Sequence, residues 1–264
     1  MKFTKMQGLG NDYVYLDCTR GWPAGLPELA RRMSDRHFGV GADGLICIGP
    51  SERADFSMRI FNADGSEGEM CGNGIRCMGK FVYDGGLTAK TALTVETRAG
   101  VRQLLLHLKG GAVSAVTVDM GEPRVGEPFP LDAGGSTWQV YPVDVGNPHA
   151  VVFVEEPEPL PLAELGPVFE RHPAFPNRVN TEFTAVESPG RLRLRVWERG
   201  SGETLACGTG ACAAMAAAAR AGLCGREAEL ILPGGTLFLF WEGPGSPMSM
   251  TGPAVTVFHG EYSI

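Results

Sequence analysis

The sequence Met70-Cys71-Gly72-Asn73-Gly74 recurs later in the chain as Ala206-Cys207-Gly208-Thr209-Gly210. An arginine, an aromatic residue and a glutamate precede each copy, in the stretches 59–67 and 195–203. The two copies align without a gap at an offset of 136 residues, from 71 to 207. One fixed offset slightly over half of 264 residues is typical of an internal repeat. It predicts two similar domains that face each other across a pseudo-two-fold axis.

Each copy lies between a predicted strand and a predicted helix. Residues 58–61 and 192–197 are apolar or alternate as strands do, and turn residues then interrupt them. Residues 211–221 consist of strong helix formers, mainly alanine, before Gly222, whereas residues 75–83 predict a shorter helix. Short strands dominate elsewhere. The pattern indicates β-rich domains, each wrapped around one helix.

Composition excludes several classes of protein. The net charge is −7 and no basic stripe is visible, so nucleic acid is not expected as a partner. No apolar run approaches the roughly 20 residues that span a bilayer, so no membrane association is expected. Residues 1–6 lack the apolar core of a signal peptide. We therefore expect a cytoplasmic protein.

The seven cysteines do not have the spacing of a zinc ribbon. Cys71 and Cys77 are six residues apart, and Cys207 and Cys212 are five apart. A chain of this size does not need disulfides, so each thiol is either a buried apolar group or a reactive one. We expect no metal site, and we interpret the cysteines outside positions 71 and 207 as buried thiols, namely Cys18, Cys47, Cys77, Cys212 and Cys224.

A helix N-terminus after each of Cys71 and Cys207 would favour negative charge. Such a site is expected to lower the pKa of the cysteine and to bind a carboxylate through backbone amides, with glycine allowing close approach. Two such ends that face each other would flank one anion with two thiols. This arrangement suits inversion of a stereocentre, in which one base removes the α-proton and an acid on the opposite face returns a proton.

Polar residues in phase with the repeat suit a zwitterionic ligand. Arg199 could bind a second carboxylate, Glu198 could pair with an ammonium group, and His149 could hold a proton beside a thiol. The remaining candidates are asparagines, which both donate and accept hydrogen bonds: Asn11, Asn62, Asn147 and Asn180.

The chain resembles the diaminopimelate epimerases over essentially its whole length. The resemblance is carried by residues 3–12, 61–66, 70–77, 146–149, 178–180, 198–200, 206–212 and 250–254. It implies conversion of LL-2,6-diaminopimelate to the meso isomer without a cofactor, in the synthesis of lysine and peptidoglycan precursors. The implied fold is α+β, with two pseudo-symmetric domains, each a β-barrel-like sheet around a central helix. The implied domains are 1–111 plus 253–264, and 112–252.

The resemblance also implies roles for individual residues. Cys71 and Cys207 would be the catalytic acid/base pair, and His149 and Glu198 would tune their pKa values. The backbone at Gly72-Asn73 and Gly208-Thr209 would hold the reacting carboxylate. The rest of the substrate would be held by Asn11, Asn62, Asn147, Asn180, Glu198 and Arg199. Gly44 departs from the family pattern, in which many members have a glutamine that contacts substrate. Only the backbone could serve at position 44.

Two other functions are compatible with paired cysteines. A proline or hydroxyproline racemase of the same architecture would use the same thiols, but its substrate lacks the second charged end that Glu198 and Arg199 suit. A thiol–disulfide redox module would use Cys71 and Cys207 for exchange instead of proton transfer. A zinc-binding structural protein fits the cysteine spacing less well. The oligomeric state, including a homodimer, is left open by the sequence.

Overall fold

The chain has a mixed α and β fold, described in a computed structural model over residues 1–263. It divides into two compact units, one formed by Met1–Asp119 together with the chain from Thr251 onward, the other by Met120–Met250. Strands outnumber helices, and the described residues contain four α-helices. The predicted α+β class is therefore confirmed.

The first unit begins with eight strands and two helices. In chain order they are β1 (Lys2–Gly8), β2 (Asn11–Asp17), α1 (Leu26–Ser34), β3 (Gly44–Gly49), β4 (Phe56–Asn62), β5 (Glu67–Gly68), α2 (Gly72–Asp84), β6 (Ala92–Thr97), β7 (Gly100–Lys109) and β8 (Ala112–Asp119).

The second unit continues with nine strands and two more helices, after which two strands end the chain. They are β9 (Arg124–Val125), β10 (Phe129–Ala133), β11 (Ser136–Asp144), β12 (Pro148–Phe153), α3 (Leu162–Glu170), β13 (Asn180–Ser188), β14 (Arg191–Glu198), β15 (Gly202–Thr204), α4 (Gly208–Arg220), β16 (Glu227–Leu232), β17 (Gly235–Trp241), β18 (Met248–Pro253) and β19 (Val255–Glu261).

The two units share one order of strand pairing. In the first, β1–β2, β3–β4 and β6–β7 are antiparallel, whereas β2–β3 and β4–β6 are parallel. In the second, β11–β12, β13–β14 and β16–β17 are antiparallel, whereas β12–β13 and β14–β16 are parallel. A parallel pair needs a crossover connection, and a helix supplies it in all four cases.

The helices repeat at the offset found in the sequence. The nine-residue helices α1 and α3 begin at positions 26 and 162, and the 13-residue helices α2 and α4 begin at 72 and 208. Within each pair of helices, the two starting positions are therefore 136 residues apart. The predicted helix after each Cys-Gly-x-Gly is confirmed, and it begins three residues earlier than the propensities of the side chains indicated.

Each of the two long helices is packed within the strands of its own unit. Helix α2 contacts β1, β2, β7, β8 and β19, and α4 contacts β9, β11, β12, β13, β14, β16 and β17. Residues 210–218 of α4 are all buried. Alanine allows the backbone of α4 to approach the surrounding strands closely, because its side chain is only a methyl group. The prediction of a tightly enclosed alanine helix is confirmed.

The division of the chain into two compact units differs by a few residues from the predicted domain boundaries. The sequence placed the end of the first N-terminal segment after residue 111, but β8 forms an antiparallel ladder with β7, including Leu104↔Val118. The segment therefore extends to Asp119. The chain returns to the first unit at Thr251, two residues before the predicted position. Among residues 1–263, no helix is both long and apolar enough to cross a bilayer.

We predict that Ala216→Leu destabilises the protein, because Ala216 is fully buried within the strands around α4. Extra methylene groups in a close-packed core cost about 1–3 kcal/mol. Chemical denaturation would measure the loss. The matched control is Ala219→Leu on the same helix, where the side chain is partly exposed and the change should stay within about 0.5 kcal/mol. Equal losses in the two variants would contradict the enclosed position of Ala216.

Candidate active site

Cys71 occupies the N-cap position of α2. Its backbone is extended, and its sulfur accepts a hydrogen bond from the backbone N–H of Gly74 at 3.3 Å. A side chain at position 74 would clash, because a Cβ there would lie 2.6 Å from the Cδ1 of Ile46. The first N–H groups of a helix have no acceptor within the helix, so this end favours an anion.

Two predicted asparagines lie beside Cys71. The Cys71 thiol donates to the Oδ1 of Asn11 at 3.2 Å, and the Nδ2 of Asn73 donates to the same oxygen at 3.4 Å. Asn11 is held in turn by Asp43, whose carboxylate accepts from Asn11 Nδ2 at 2.8 Å. Asn11, Asn73 and Cys71 are therefore joined in one hydrogen-bonded cluster, at the start of β2 and of α2.

Arg76 is a buried cation below this cluster, and sequence reasoning did not single it out. The side chain is fully buried, donates to Asn73 Oδ1 at 2.9 Å, and also donates to the carbonyls of Gly72 and Pro253. It therefore fixes Asn73 in the first turn of α2. The signal was available, because residues 73 and 76 are three apart and lie on one face of a helix.

Asn62 and Gly44 lie on neighbouring strands of the same unit. Asn62 is exposed and donates to the hydroxyl of Ser66 at 2.9 Å within the turn that follows β4. Gly44 pairs with Tyr13 on one side and Asn62 on the other. A Cβ at position 44 would lie 2.2 Å from the carbonyl oxygen of Phe61 and 2.9 Å from Cε1 of Tyr13. This backbone geometry therefore requires glycine at position 44.

Cys207 repeats the capping arrangement at α4. It has an extended backbone, and its sulfur accepts from the N–H of Gly210 at 3.4 Å. The Oγ1 of Thr209 lies 3.5 Å from the same sulfur. Cys207 is more buried than Cys71, with 6% of its surface exposed.

The electrostatic environment of Cys207 differs from the predicted one. Burial raises the pKa of the Cys207 thiol well above its ordinary value, and the nearby carboxylates of Glu198 and Glu182 act in the same direction. Hydrogen bonds from Thr209 and Gly210 oppose this effect but are smaller. The prediction that the helix N-terminus lowers the pKa is therefore wrong for Cys207. Desolvation and two carboxylates outweigh the helix dipole.

Glu198, on β14, carries a perturbed carboxyl group. Burial raises its pKa from an ordinary value of 4.5, and its hydrogen bonds to Thr204 and Cys207 offset part of that rise. The Thr204 hydroxyl donates to Glu198 Oε1. Glu198 therefore lies beside Cys207.

His149 lies in a second cluster of the same unit, together with a glutamate that sequence reasoning missed. Its Nδ1 is 2.7 Å from Glu182 Oε1, and its Nε2 is 2.9 Å from Asn147 Oδ1. Asn147 Nδ2 donates to Thr209 Oγ1 at 3.4 Å, which links the cluster to the start of α4. A charged residue within the otherwise buried run at the start of β13 was the available signal for Glu182.

Asn180 and Arg199 lie next to this cluster. Asn180 is buried, donates to the carbonyl of Pro148 and accepts from the backbone N–H of Arg199 at 2.9 Å. The Arg199 guanidinium donates to the carbonyl of Asn177 at 3.0 Å and is exposed. The predicted residues of the second unit are therefore joined by hydrogen bonds around β12, β13 and the end of β14. Within residues 1–263 no group of three or more potential metal-binding side chains comes together.

We predict that Glu198→Gln gains stability over the parent protein as the pH rises. Below pH 4.5 the carboxyl group is protonated in both the folded and the unfolded state, so its raised pKa does not lower the stability of the folded protein there. The stability that the protonated form contributes is lost as the pH rises through the folded-state pKa. Urea denaturation at pH 4 and pH 8 measures the effect. Glu227→Gln, an exposed control in the same unit, should show no such trend, and a Glu198→Gln difference that stays constant with pH would contradict the prediction.

We also predict that Gly44→Ala is destabilising, by about 1–3 kcal/mol, because the new Cβ would overlap a backbone carbonyl and strands β2 and β4 must shift. The matched control is Gly190→Ala, where the nearest atom to the new Cβ is 3.9 Å away. That change should be neutral or slightly stabilising. Calorimetry of the two variants decides the matter, and a Gly44→Ala protein as stable as Gly190→Ala would refute the steric argument.

Comparisons with known proteins identify the family of the chain. The family model described as diaminopimelate epimerase matches residues 3–126 and 141–257. A diaminopimelate epimerase of Bacteroides thetaiotaomicron is 53% identical over 263 residues, covering 99% of this chain and 97% of that protein. One from Desulfovibrio desulfuricans is 50% identical over 283 residues, covering 100% and 99%.

Solved structures share the fold at much lower identity. A phenazine biosynthesis protein from Bacillus anthracis superposes with a TM-score of 0.78 at 18% identity, over 100% of this chain and 99% of that chain. A hydroxyproline epimerase from Agrobacterium vitis gives 0.70 at 18% identity, over 98% and 91%. These two likenesses show the fold alone. The match to the family model and the identity to full-length relatives show that the chain belongs to the diaminopimelate epimerase family.

Proposed function

We propose that this chain is an isomerase that interconverts LL-2,6-diaminopimelate and meso-diaminopimelate, with Cys71 and Cys207 as its acid/base pair and without a cofactor. The observation that carries the proposal is the matched capping of two helices. Each sulfur accepts a hydrogen bond from the backbone N–H three residues later in the chain, at 3.3 Å for Cys71 and 3.4 Å for Cys207. Two thiols with the same capping geometry, each at a helix N-terminus, suit a reaction that acts on both faces of one carbon.

The proton balance of the reaction needs both thiols. One cysteine, as thiolate, removes the α-proton and becomes a thiol, which leaves a carbanion-like α-carbon. The other cysteine, as thiol, delivers a proton to the opposite face and becomes a thiolate. No proton is gained or lost overall, and the two cysteines end with their roles exchanged. The mechanism requires that both sulfurs reach the same α-carbon.

Charge develops on the substrate carboxylate while the α-carbon is deprotonated. Backbone amides at Gly72-Asn73 and Gly208-Thr209 would bind this carboxylate, since they belong to the first turns of α2 and α4. Donors aimed at developing charge stabilise the transition state more than the ground state. Glycine at the first position of each helix also lets the carboxylate approach closely.

The distal amino-acid group of the substrate distinguishes diaminopimelate from proline. Its ammonium and carboxylate would be held by polar side chains, with Arg199 for the carboxylate and Glu198 for an ammonium. The other proposed substrate contacts are Asn11, Asn62, Asn147 and Asn180. His149 and Glu198 would tune the cysteines. The reaction would take place in the cytoplasm and supply lysine and peptidoglycan precursors.

The test is incubation with LL-diaminopimelate in heavy water, with reductant and chelator present, followed by NMR and chiral chromatography. We expect meso product that carries deuterium at the inverted α-carbon. Cys71→Ala and Cys207→Ala should each reduce kcat by ~10²- to 10⁴-fold, because each removes one proton-transfer group. Cys77→Ala and Cys212→Ala, farther along the same two helices, serve as matched controls and should retain activity.

Three results would count against the proposal. Near-normal turnover in either Cys71→Ala or Cys207→Ala would exclude two-base catalysis. Turnover of proline or hydroxyproline but not of diaminopimelate would indicate the racemase alternative. Thiol–disulfide exchange with a dithiol, in protein that exchanges no α-proton, would indicate the redox alternative.

A further inference from the structure

Glu182 is a buried carboxylate at the centre of the second unit, and the mechanism proposed above does not use it. Its side chain and that of His149 are both fully buried. The two residues lie on the parallel strands β13 and β12, where Val151 pairs with Glu182 and His149 with Asn180. Side chains two residues apart on a strand lie on the same face of the sheet, and so do paired residues on neighbouring strands. His149 and Glu182 therefore lie on one face. The 2.7 Å contact between Glu182 and His149 therefore follows from the register of the sheet.

Hydrogen bonding on both sides of the imidazole fixes its orientation. A carboxylate only accepts, so the Nδ1 of His149 donates to Glu182 Oε1. On the other side Nε2 lies 2.9 Å from Asn147 Oδ1, while the amide nitrogen of Asn147 is directed to Thr209. Both ring nitrogens of His149 therefore contact a side chain of this cluster.

Glu182 also lies against the start of α4. A Cβ at position 210 would be 2.7 Å from Glu182 Oε1, so glycine at 210 leaves the space that the carboxylate occupies. Glu182 and Glu198 are the two carboxylates that act on Cys207. The groups that face Glu182 are thus His149 from β12, Cys207 from the N-terminus of α4 and Glu198 from β14.

The second carboxyl oxygen of Glu182 lowers the stability of the fold. Oε2 is buried and has no hydrogen-bond partner among residues 1–263. A buried acceptor that is not satisfied destabilises the fold, and a buried charge does so unless it is paired. An uncharged residue of similar size would remove this cost. The carboxyl group of Glu182 therefore has a use besides packing, and its partner in this cluster is the imidazole of His149.

We propose that Glu182 is a positioning residue of the epimerase reaction, which acts through His149 by holding the imidazole in one orientation. This inference rests on the proposed function. The fixed ring directs Nε2 toward Asn147, whose amide nitrogen donates to Thr209 in the first turn of α4. Glu182 itself touches no reacting atom.

The first measurement is NMR of the imidazole nitrogens in the unaltered protein. The His149 signals are assigned by their loss in His149→Gln, which separates them from the other four histidines. We expect the Nδ1 of His149 to carry a proton that is protected from exchange with water, because it is buried and bonded to Glu182. In Glu182→Gln the signal of this proton should shift and lose its protection. A His149 ring whose Nδ1 carries no proton in the unaltered protein would overturn the proposal without any variant.

The second measurement is a double-mutant cycle in the epimerase assay. We expect Glu182→Gln to lower kcat about 10- to 100-fold, within the range of a proton-transfer contribution, with KM changed less than about threefold. In the His149→Gln background the same change should cost less than about twofold, because Glu182 acts through His149. Glu187→Gln on the same strand is the matched control, since Glu187 pairs with Arg191 and Arg193 instead.

The outcomes separate this proposal from the proposed function. Full additivity in the cycle, or an unchanged His149 Nδ1–H signal in an inactive Glu182→Gln protein, would mean a purely structural role and overturn the inference. Absence of any epimerisation in the unaltered protein would overturn the proposed function and, with it, the catalytic part of this inference. The NMR result would then still decide whether Glu182 orients His149.

Discussion

The structure depends on one interaction that occurs twice, in which a cysteine sulfur accepts a hydrogen bond from the backbone N–H of the third residue of a helix. It makes α2 begin at Gly72 and α4 at Gly208, in the first turn after each cysteine. Glycine at the third helical residue leaves room in each case for a neighbouring side chain, Ile46 at Gly74 and Glu182 at Gly210. The cysteine, the first turn of the helix and the glycine thus form one local structure in each unit, and the strands of that unit pack around the helix.

The two copies of this unit differ in their electrostatics although their backbones agree. Cys71 is half-buried, beside the amides of Asn11 and Asn73, with the buried guanidinium of Arg76 one turn along α2. Cys207 is buried beside two carboxylates. Helix geometry alone would give both thiols the same tendency to ionise. Burial and the sign of the neighbouring charges override it, since both act on the charged form of the thiol more strongly than the helix dipole does.

The sequence was informative about backbone and much less about side-chain environment. The offset of 136 residues predicted two matching helices, because glycine spacing and alanine content are local signals. The direction of the pKa shift at Cys207 could not be predicted, since Glu182 is 25 residues away in the chain, at positions 182 and 207, and reaches the thiol only through sheet packing. Glu182 was missed for the same reason, whereas Arg76 lies only three residues from Asn73 in α2 and its signal was local. A charged residue in a buried run indicates that a partner exists, but not which partner.

An unequal pair of thiols is compatible with a reversible reaction. An enzyme cannot change the equilibrium between two stereoisomers, so the raised pKa of Cys207 cannot favour one product at equilibrium. Under the proposed two-cysteine mechanism, it decides which protonation form is populated at rest, and hence which direction starts without a prior proton shift. The thiols would exchange roles in each turnover, and the enzyme would have to return to its resting form before the same direction could repeat. The hydrogen bonds from Thr209 and Gly210 act against burial at Cys207 and lower its pKa, so the first turn of α4 reduces the energy difference between the two forms.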